Sequence, residues 1–265
     1  MKIGGVQMVG IVYFIVIVFA NTLGAISGMG GGVLIKPIFD SINIHSVAAI
    51  SFYSSVAVLT MSIVSTSKQL KNGVKVNWLF AIQVSFGAML GGFLGNSVFE
   101  KILIAFPSGR EVQLIQIALT VVTLLLSFMY SKGVWNNHHY QSNLLAIGTG
   151  LLLGFLASLL GIGGGPINVA LLMFLFDMPI KQATVYSIIT IFFSQLTKVT
   201  TVLLTANMER YDLTILYYVI PAAIMGGFLG SYVSGKVSDQ RVNQVYQYVI
   251  ILVLLINLYN AWQVL

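Results

Sequence analysis

No cysteine occurs in the chain, which excludes disulfides, thiolate metal centres and cysteine nucleophiles. Charge is almost as scarce. Only 8% of the 265 residues are Asp, Glu, Lys or Arg, against about 25% in soluble domains, whose surfaces must be hydrated. Thirteen basic and seven acidic residues cannot coat a water-soluble protein of this size, so lipid replaces water over most of the surface. Histidine is confined to His45, His138 and His139, all in connectors and without a His-Glu-x-x-His run, so no metal or other cofactor is expected. The formal charge of +6 does not point to nucleic acid. The basic residues sit singly or in short groups between apolar runs, where membrane proteins keep them.

What the chain has in abundance is long apolar sequence. A bilayer core takes about 20 residues of helix. Eight segments qualify: 6–27, 46–66, 76–99, 112–131, 143–160, 181–205, 212–234 and 241–263. Two shorter apolar pieces, 33–39 and 166–176, follow glycine clusters and are too short to span alone. Lys2 and the run Val6–Ala20 have the form of a signal peptide. The run continues, however, into a glycine cluster with a counterpart later in the chain, which marks it as a retained membrane helix. The expected fold is an all-α, multi-pass protein of the cytoplasmic membrane, with the lipid bilayer as its main partner.

The chain repeats itself. Gly28-Met29-Gly30-Gly31-Gly32 returns as Gly161-Ile162-Gly163-Gly164-Gly165, and Phe39-Asp40 as Phe176-Asp177. Ala88-Met89-Leu90-Gly91-Gly92-Phe93-Leu94-Gly95 returns as Ala223-Ile224-Met225-Gly226-Gly227-Phe228-Leu229-Gly230. The matches keep their order at offsets of 133, 137 and 135, which reads as a duplication with modules 1–135 and 136–265. Eight simple crossings would give parallel modules and put six Lys/Arg on each side. If 6–27 and 143–160 instead fold back on the short pieces as re-entrant hairpins, the modules are inverted. Lys68, Lys71, Lys75, Lys132, Lys181, Lys236 and Arg241 then share one side, seven against five.

The glycine clusters are the sharpest signal. Each glycine costs about 1 kcal/mol against alanine in a helix, so three in succession predict a break. Non-helical backbone within a membrane must be wrapped in protein or line a wet cavity. A restarting half-helix there also presents unpaired N–H groups suited to an anion. Pro166 fits the first position of such a restart, while Pro37 lies further into the first short piece. The candidate binding set is Ser27, Gly28, Gly30, Gly31 and Gly32, with Ser158, Gly161, Gly163, Gly164 and Gly165, joined by Ser194 and Lys198. Neither cluster is followed by Gly-Lys-Ser/Thr, so a nucleotide phosphate loop is a poor fit.

Twin Gly-x-Gly-Gly-Gly clusters at 28–32 and 161–165, each opening an apolar run in a duplicated membrane protein, resemble the sulfite exporter TauE/SafE family along essentially the whole chain. The resemblance implies transport of small sulfur-containing anions such as sulfite or sulfoacetate. Members commonly carry a proline about five residues past the last glycine. Lys36-Pro37 matches, whereas the second module has Ala170 there and its proline earlier, at Pro166.

Gly87, Gly91 and Gly95, with Ala222, Gly226, Gly230 and Ser234 in the second module, place small residues on one helix face. That pattern predicts that this helix pair packs closely at the centre of the molecule, against the broken segments. Lys198 lies about seven residues, roughly 10 Å, from the end of its segment. It either turns inward as a functional group or snorkels to the headgroups. Lys36 faces the same choice, anion or headgroup. Asp40 and Asp177 stand as equivalents, as boundary carboxylates or carriers of a coupling ion. Ser187, Thr190, Ser194 and Thr197 give 181–205 a polar face that suits a solvated pathway or inter-helix hydrogen bonds.

These readings converge on a secondary anion carrier coupled to its own gradient, a proton or Na+, and not on an enzyme. A passive anion channel, an intramembrane enzyme and an assembly factor are the alternatives.

Overall fold

A computed structural model of the chain describes residues 2–74, 76–133, 135, 137–205 and 208–265, with side chains from Gln7 onward. Lys75, Ala206 and the side chain of Lys2 lie outside the described residues. The order is α1 (Lys2–Ser27), α2 (Gly32–Ile42), α3 (Val47–Lys71), α4 (Trp78–Ala105), α5 (Arg110–Ser131), α6 (Asn143–Leu160), α7 (Pro166–Phe176), α8 (Ile180–Thr205), α9 (Leu216–Lys236) and α10 (Asp239–Val264). Two single 3-10 turns, Met208–Arg210 and Leu213–Ile215, join α8 to α9. Among the described residues, eight helices are long and apolar enough to cross a membrane, and α2 and α7 are the short pieces. The all-α multi-pass fold expected from composition is present. Ser46, Asn77, Ser142 and Ser238 start α3, α4, α6 and α10 by accepting a hydrogen bond from the first helical turn.

Large apolar side chains such as Ile82, Phe86, Phe93, Leu125 and Leu255 point outward. Such a patch would be untenable in water and is the lipid-facing surface of a membrane protein.

Helix α2 doubles back along α1. Gly31 lies against Asn21, and further along Phe39 stacks on Tyr13 with ring centroids 3.6 Å apart. Helix α7 likewise returns to the end where α6 begins. There the backbone of His138 and Tyr140 donates to Phe174 and Leu175 at the end of α7. Each glycine cluster is therefore the tip of a hairpin, and the tips meet: Gly30 and Gly163 both lie against Val58, near the middle of α3. Gly30 and Gly164 both lie against Ile191, near the middle of α8.

The register of the two short helices corrects one expectation. Each ends on a left-handed residue after eleven helical ones, Asn43 for α2 and Asp177 for α7. Asp177 thus corresponds to Asn43, while Asp40 stands inside α2. The Phe-Asp repeat is out of step with the backbone.

The small-residue stripes grip the hairpin stalks. Gly87, Gly91 and Gly95 of α4 face Ile147, Leu151 and Phe155 of α6, while Gly226 and Gly230 of α9 face Val18, Asn21, Thr22 and Ala25 of α1. Each striped helix packs on a broken segment, as expected, but turns its other face outward, so the pair flanks the hairpins and is not the centre of the bundle. A methyl on Gly91 would collide with the Leu151 carbonyl oxygen, whereas one on Gly148 meets nothing within 4 Å. Gly91→Ala should cost about 1–3 kcal/mol through overpacking and lower the thermal midpoint of the detergent-solubilised protein. Gly148→Ala should leave that midpoint unchanged or raise it, because the exposed helix position gains propensity of about 0.5–1 kcal/mol.

Candidate functional site

The hairpin tips set the frame. Gly28 and Gly30, and Gly161, Gly163 and Gly164, have positive φ, a conformation that side-chain-bearing residues enter at a cost of about 1–2 kcal/mol each. Glycine is needed here for space as well as for torsion. A methyl on Gly32 would strike the Ile162 carbonyl, and one on Gly164 would lie 3.1 Å from the Met29 carbonyl oxygen. The backbones of the two tips interlock. Neither restart carries a side-chain cap: Gly31 precedes α2 and Gly165 precedes α7, with Pro166 at the first turn as expected. Gly28 sits on Thr184, and its carbonyl accepts the Ser187 hydroxyl at 2.6 Å. Gly161 sits in the matching place on Ser51.

Beside Gly161 lies the most unusual chemistry of the molecule. Lys198 of α8 is 1% exposed, so it does not snorkel. Its Nζ donates to Ser51 Oγ at 2.8 Å and to the Ser158 carbonyl at 2.9 Å, and lies 5.2 Å from the centre of the Phe99 ring. Among the described residues no carboxylate lies within 4.0 Å of it. Glu100, which acts on it through space, is engaged by Arg210 at 2.8 Å. Lys36, 3% exposed, approaches Gly161 with its stem at 3.4 Å from where a Cβ would stand. It pairs with Asp40 Oδ2 at 2.6 Å, and Asp40 Oδ1 is buried without a partner. Of the two buried ammonium groups, only that of Lys36 thus has a carboxylate partner. The hydroxyls of Ser54 and Ser158 are also buried without partners. An uncompensated buried cation costs several kcal/mol, so this cluster is suited to receiving an anion.

The remaining expected residues are placed as follows. Ser27 returns its hydroxyl to the Leu23 carbonyl and does not face the lysines. Ser194 bonds to the Ile191 carbonyl where α8 crosses Gly92 of α4. Thr190 and Thr197 also bond back to their own helix, so the polar face of α8 is packed here rather than hydrated. Pro37 stands inside α2, and its carbonyl accepts Asn260 Nδ2 of α10 at 2.8 Å; that of Pro166 accepts the Tyr246 hydroxyl at 2.7 Å.

The scan against family models matches the chain to sulfite exporter TauE/SafE over residues 13–258. The chain belongs to that family. A probable membrane transporter protein of Bacillus subtilis (strain 168), YunE, is 24% identical over 256 residues, covering 88% of this chain and 92% of the relative. A probable membrane transporter protein of Xylella fastidiosa (strain Temecula1 / ATCC 700964) is 28% identical over 198 residues, 70% of each chain. No solved structure matches. This TauE/SafE chain is therefore a multi-pass membrane transporter.

Two features escaped the sequence reading. Asp40 is the buried partner of Lys36, which the i, i+4 spacing could have revealed. Tyr53 and Tyr186 are the second, and each ties its helix to the segment that leads into a helix of the other half. The Tyr53 hydroxyl donates to the Asp212 carbonyl at 3.0 Å and accepts its N–H at 2.9 Å. The Tyr186 hydroxyl accepts the Asn77 N–H at 2.6 Å. Outside the tyrosines lie cavities of about 540 Å³, lined by Asn77, Gln83, Asp177 and Gln182 among others, and about 600 Å³, lined by His45, Arg110 and Gln263 among others. Burial lowers the pKa of His45 in the α2–α3 connector, against the pull of Asp212, and the ring bonds to the Tyr13 hydroxyl at 2.8 Å. Tyr186→Phe keeps the ring and strands the Asn77 N–H. Its expected cost is about 1–3 kcal/mol, read as a lowered unfolding midpoint. Faster labelling of a cysteine placed at Gln83 should accompany it.

Proposed function

We propose that the chain is a secondary carrier of small anions, sulfur-containing ones such as sulfite, sulfoacetate or related organosulfonates, and that it carries out no catalysis. The observation that supports this reading is the buried Lys198, held by neutral groups only, next to the Lys36–Asp40 pair at a hairpin tip. The family's description names sulfite export. An anion seated between the two ammonium groups would be held by Lys198, Lys36 and the orphan hydroxyls of Ser54 and Ser158. The uncapped start of α2 at Gly31–Gly32 adds the positive end of a helix dipole nearby.

We also propose that residues 1–135 and 136–265 are inverted copies of one module. Opposed hairpins, matched breaks and the reciprocal tyrosines support this. The hairpin geometry puts Lys68, Lys71, Lys132, Lys181, Lys236 and Arg241 at one end, and the positive-inside rule makes that end cytoplasmic. Single cysteines at Lys71 and Lys236 in this cysteine-free chain should react with an impermeant maleimide only in inside-out vesicles. One at Ser108 should react only in right-side-out vesicles. Labelling of the Lys71 and Lys236 positions from opposite sides would exclude inversion.

Alternating exposure of the lysine cluster to the two end cavities would move the anion. In liposomes the full chain should support saturable flux of radiolabelled sulfite or sulfoacetate. Lys198→Met, which keeps the bulk and removes the charge, should weaken apparent affinity at least about tenfold, or about 1.4 kcal/mol. Flux equal to that of empty liposomes across both anions would refute the carrier, and unsaturable flux would indicate a channel.

A further inference from the structure

Asp40 is the group in this cluster that an anion site has no need of. It is 8% exposed and lies inside α2, three residues before the left-handed Asn43 that ends the helix. One carboxylate oxygen holds Lys36 and the other holds nothing. Beyond Lys36, the titratable groups of this cluster are Tyr13, Tyr53, His45 and Lys198, with Asp212 ahead of α9 acting on Tyr53 and His45 through space. Tyr13 on α1 acts on it through space, and Tyr53 on α3 and His45 in the α2–α3 connector belong to the same ring cluster as Tyr13. Lys198 on α8 acts on Lys36 through space, and α10 presents only the uncharged amide of Asn260 to this helix.

A carboxylate and a substrate anion within reach of one ammonium group compete for it. With the site empty, Lys36 pairs with Asp40, and the three charged side chains sum to +1. When an anion arrives and draws Lys36 towards itself, Asp40 loses its one partner in a place where water does not replace it. A buried carboxylate stripped of its counter-ion is strained energetically and is relieved by taking a proton. Anion and proton therefore favour each other's binding, which is positive linkage. Taking the anion-carrier reading above as the basis, we infer that Asp40 carries the coupling proton: the substrate anion takes Lys36 from Asp40, and Asp40 binds one proton from the side to which the site is open. Anion and proton cross together. On release Asp40 gives its proton to the opposite side, and Lys36 returns to it. One anion and one proton move per cycle, with no bond made or broken other than the O–H of the Asp40 carboxyl. Sodium is a poor substitute, because it would have to sit beside two ammonium groups with a single carboxylate to hold it.

The test uses the full chain in liposomes with the membrane potential held at zero and radiolabelled sulfoacetate as probe. Its sulfonate and carboxylate both stay ionised near neutral pH, so a proton entering with it is the carrier's. In the wild type a gradient of one pH unit, acid outside, should accumulate sulfoacetate about tenfold, as one proton per anion requires. A pH dye inside should report acidification that tracks the uptake. Asp40→Asn should lose the pH-driven accumulation while still exchanging sulfoacetate measurably at zero gradient, at a rate altered by the loss of the competitor for Lys36, and Asp40→Glu should restore part of the accumulation. Accumulation by Asp40→Asn at the wild-type level would overturn the assignment. So would wild-type uptake without internal acidification, or uptake driven by sodium in place of the pH gradient, and these two readouts hold even if the Asn variant does not fold. If the wild type carries neither sulfoacetate nor sulfite, the carrier reading fails and this assignment falls with it.

Discussion

The structure depends on the meeting of two irregular backbone tips deep inside a helical bundle. Peptide groups that leave a helix in hydrocarbon cost several kcal/mol each if lipid is their only neighbour. Both breaks must therefore be enclosed, and they are enclosed chiefly by each other. Gly32 lies on the Ile162 carbonyl, Gly164 on that of Met29, and Val58 and Ile191 close the junction from α3 and α8. Any side chain at these contacts would push the tips apart and open the breaks to lipid. Glycine here supplies left-handed torsion and close approach together. The same demand for close approach recurs along the stalks that carry the tips, at Gly87, Gly91, Gly95, Gly226 and Gly230.

The stalks are held by helices from the opposite half of the sequence. Helix α4 packs on α6, and α9 on α1, each through a stripe of small residues. The tyrosines follow the same cross-over, with Tyr53 holding Asp212 ahead of α9 and Tyr186 holding Asn77 ahead of α4. A rocking motion of residues 1–135 against 136–265 would break all four attachments at once. Bodies that move as units must then be cut across the sequence halves, with a hairpin stalk and its gripping helix travelling together. The tyrosine hydroxyls are the smaller contacts. Each consists of one or two hydrogen bonds worth about 1 kcal/mol apiece, whereas the striped interfaces run along several helical turns. Releasing a tyrosine contact is therefore cheaper than parting a striped interface.

Much of this was legible in the sequence because it rests on local chemistry. Apolar length marked all eight long helices, and helix-breaking glycine placed both interruptions. Pro166, with no N–H to lose, marked the start of α7. The proline that departs from the family pattern there is accounted for: α7 takes its proline at the first turn, and α2 takes Pro37 in its interior, where Asn260 of α10 satisfies the Pro37 carbonyl. What could not be read was three-dimensional register. Phe39-Asp40 and Phe176-Asp177 look equivalent as letters, yet α7 aligns Asp177 with Asn43, and only Asp40 ends up buried. Whether Lys198 pointed to lipid or to the core depended on Ser51 and Ser158, residues 147 and 40 positions away. Tyr53 and Tyr186 look like ordinary interfacial aromatics until their hydroxyl partners on the opposite half are known.

The charge distribution finally explains why a nearly symmetric frame carries its polar chemistry on one side. Gly28 rests on Thr184 as Gly161 rests on Ser51, but the lysines accompany only Gly161. Two copies of the cluster, one on each side of the junction, would place four buried ammonium groups in one low-dielectric region, where like charges repel strongly. On the proposed carrier reading, a single cluster against the tips would let one set of charges serve both ends. Lysine suits that task better than arginine. Its ammonium is a point charge on a flexible stem that can pass from Ser51 and a carbonyl to an arriving anion and back, whereas a forked guanidinium would bind the same anion in two places and release it slowly. Holding Lys198 on neutral acceptors, and Lys36 on a carboxylate that can itself be neutralised, keeps both groups solvated enough to survive in the membrane and loosely enough bound to let go.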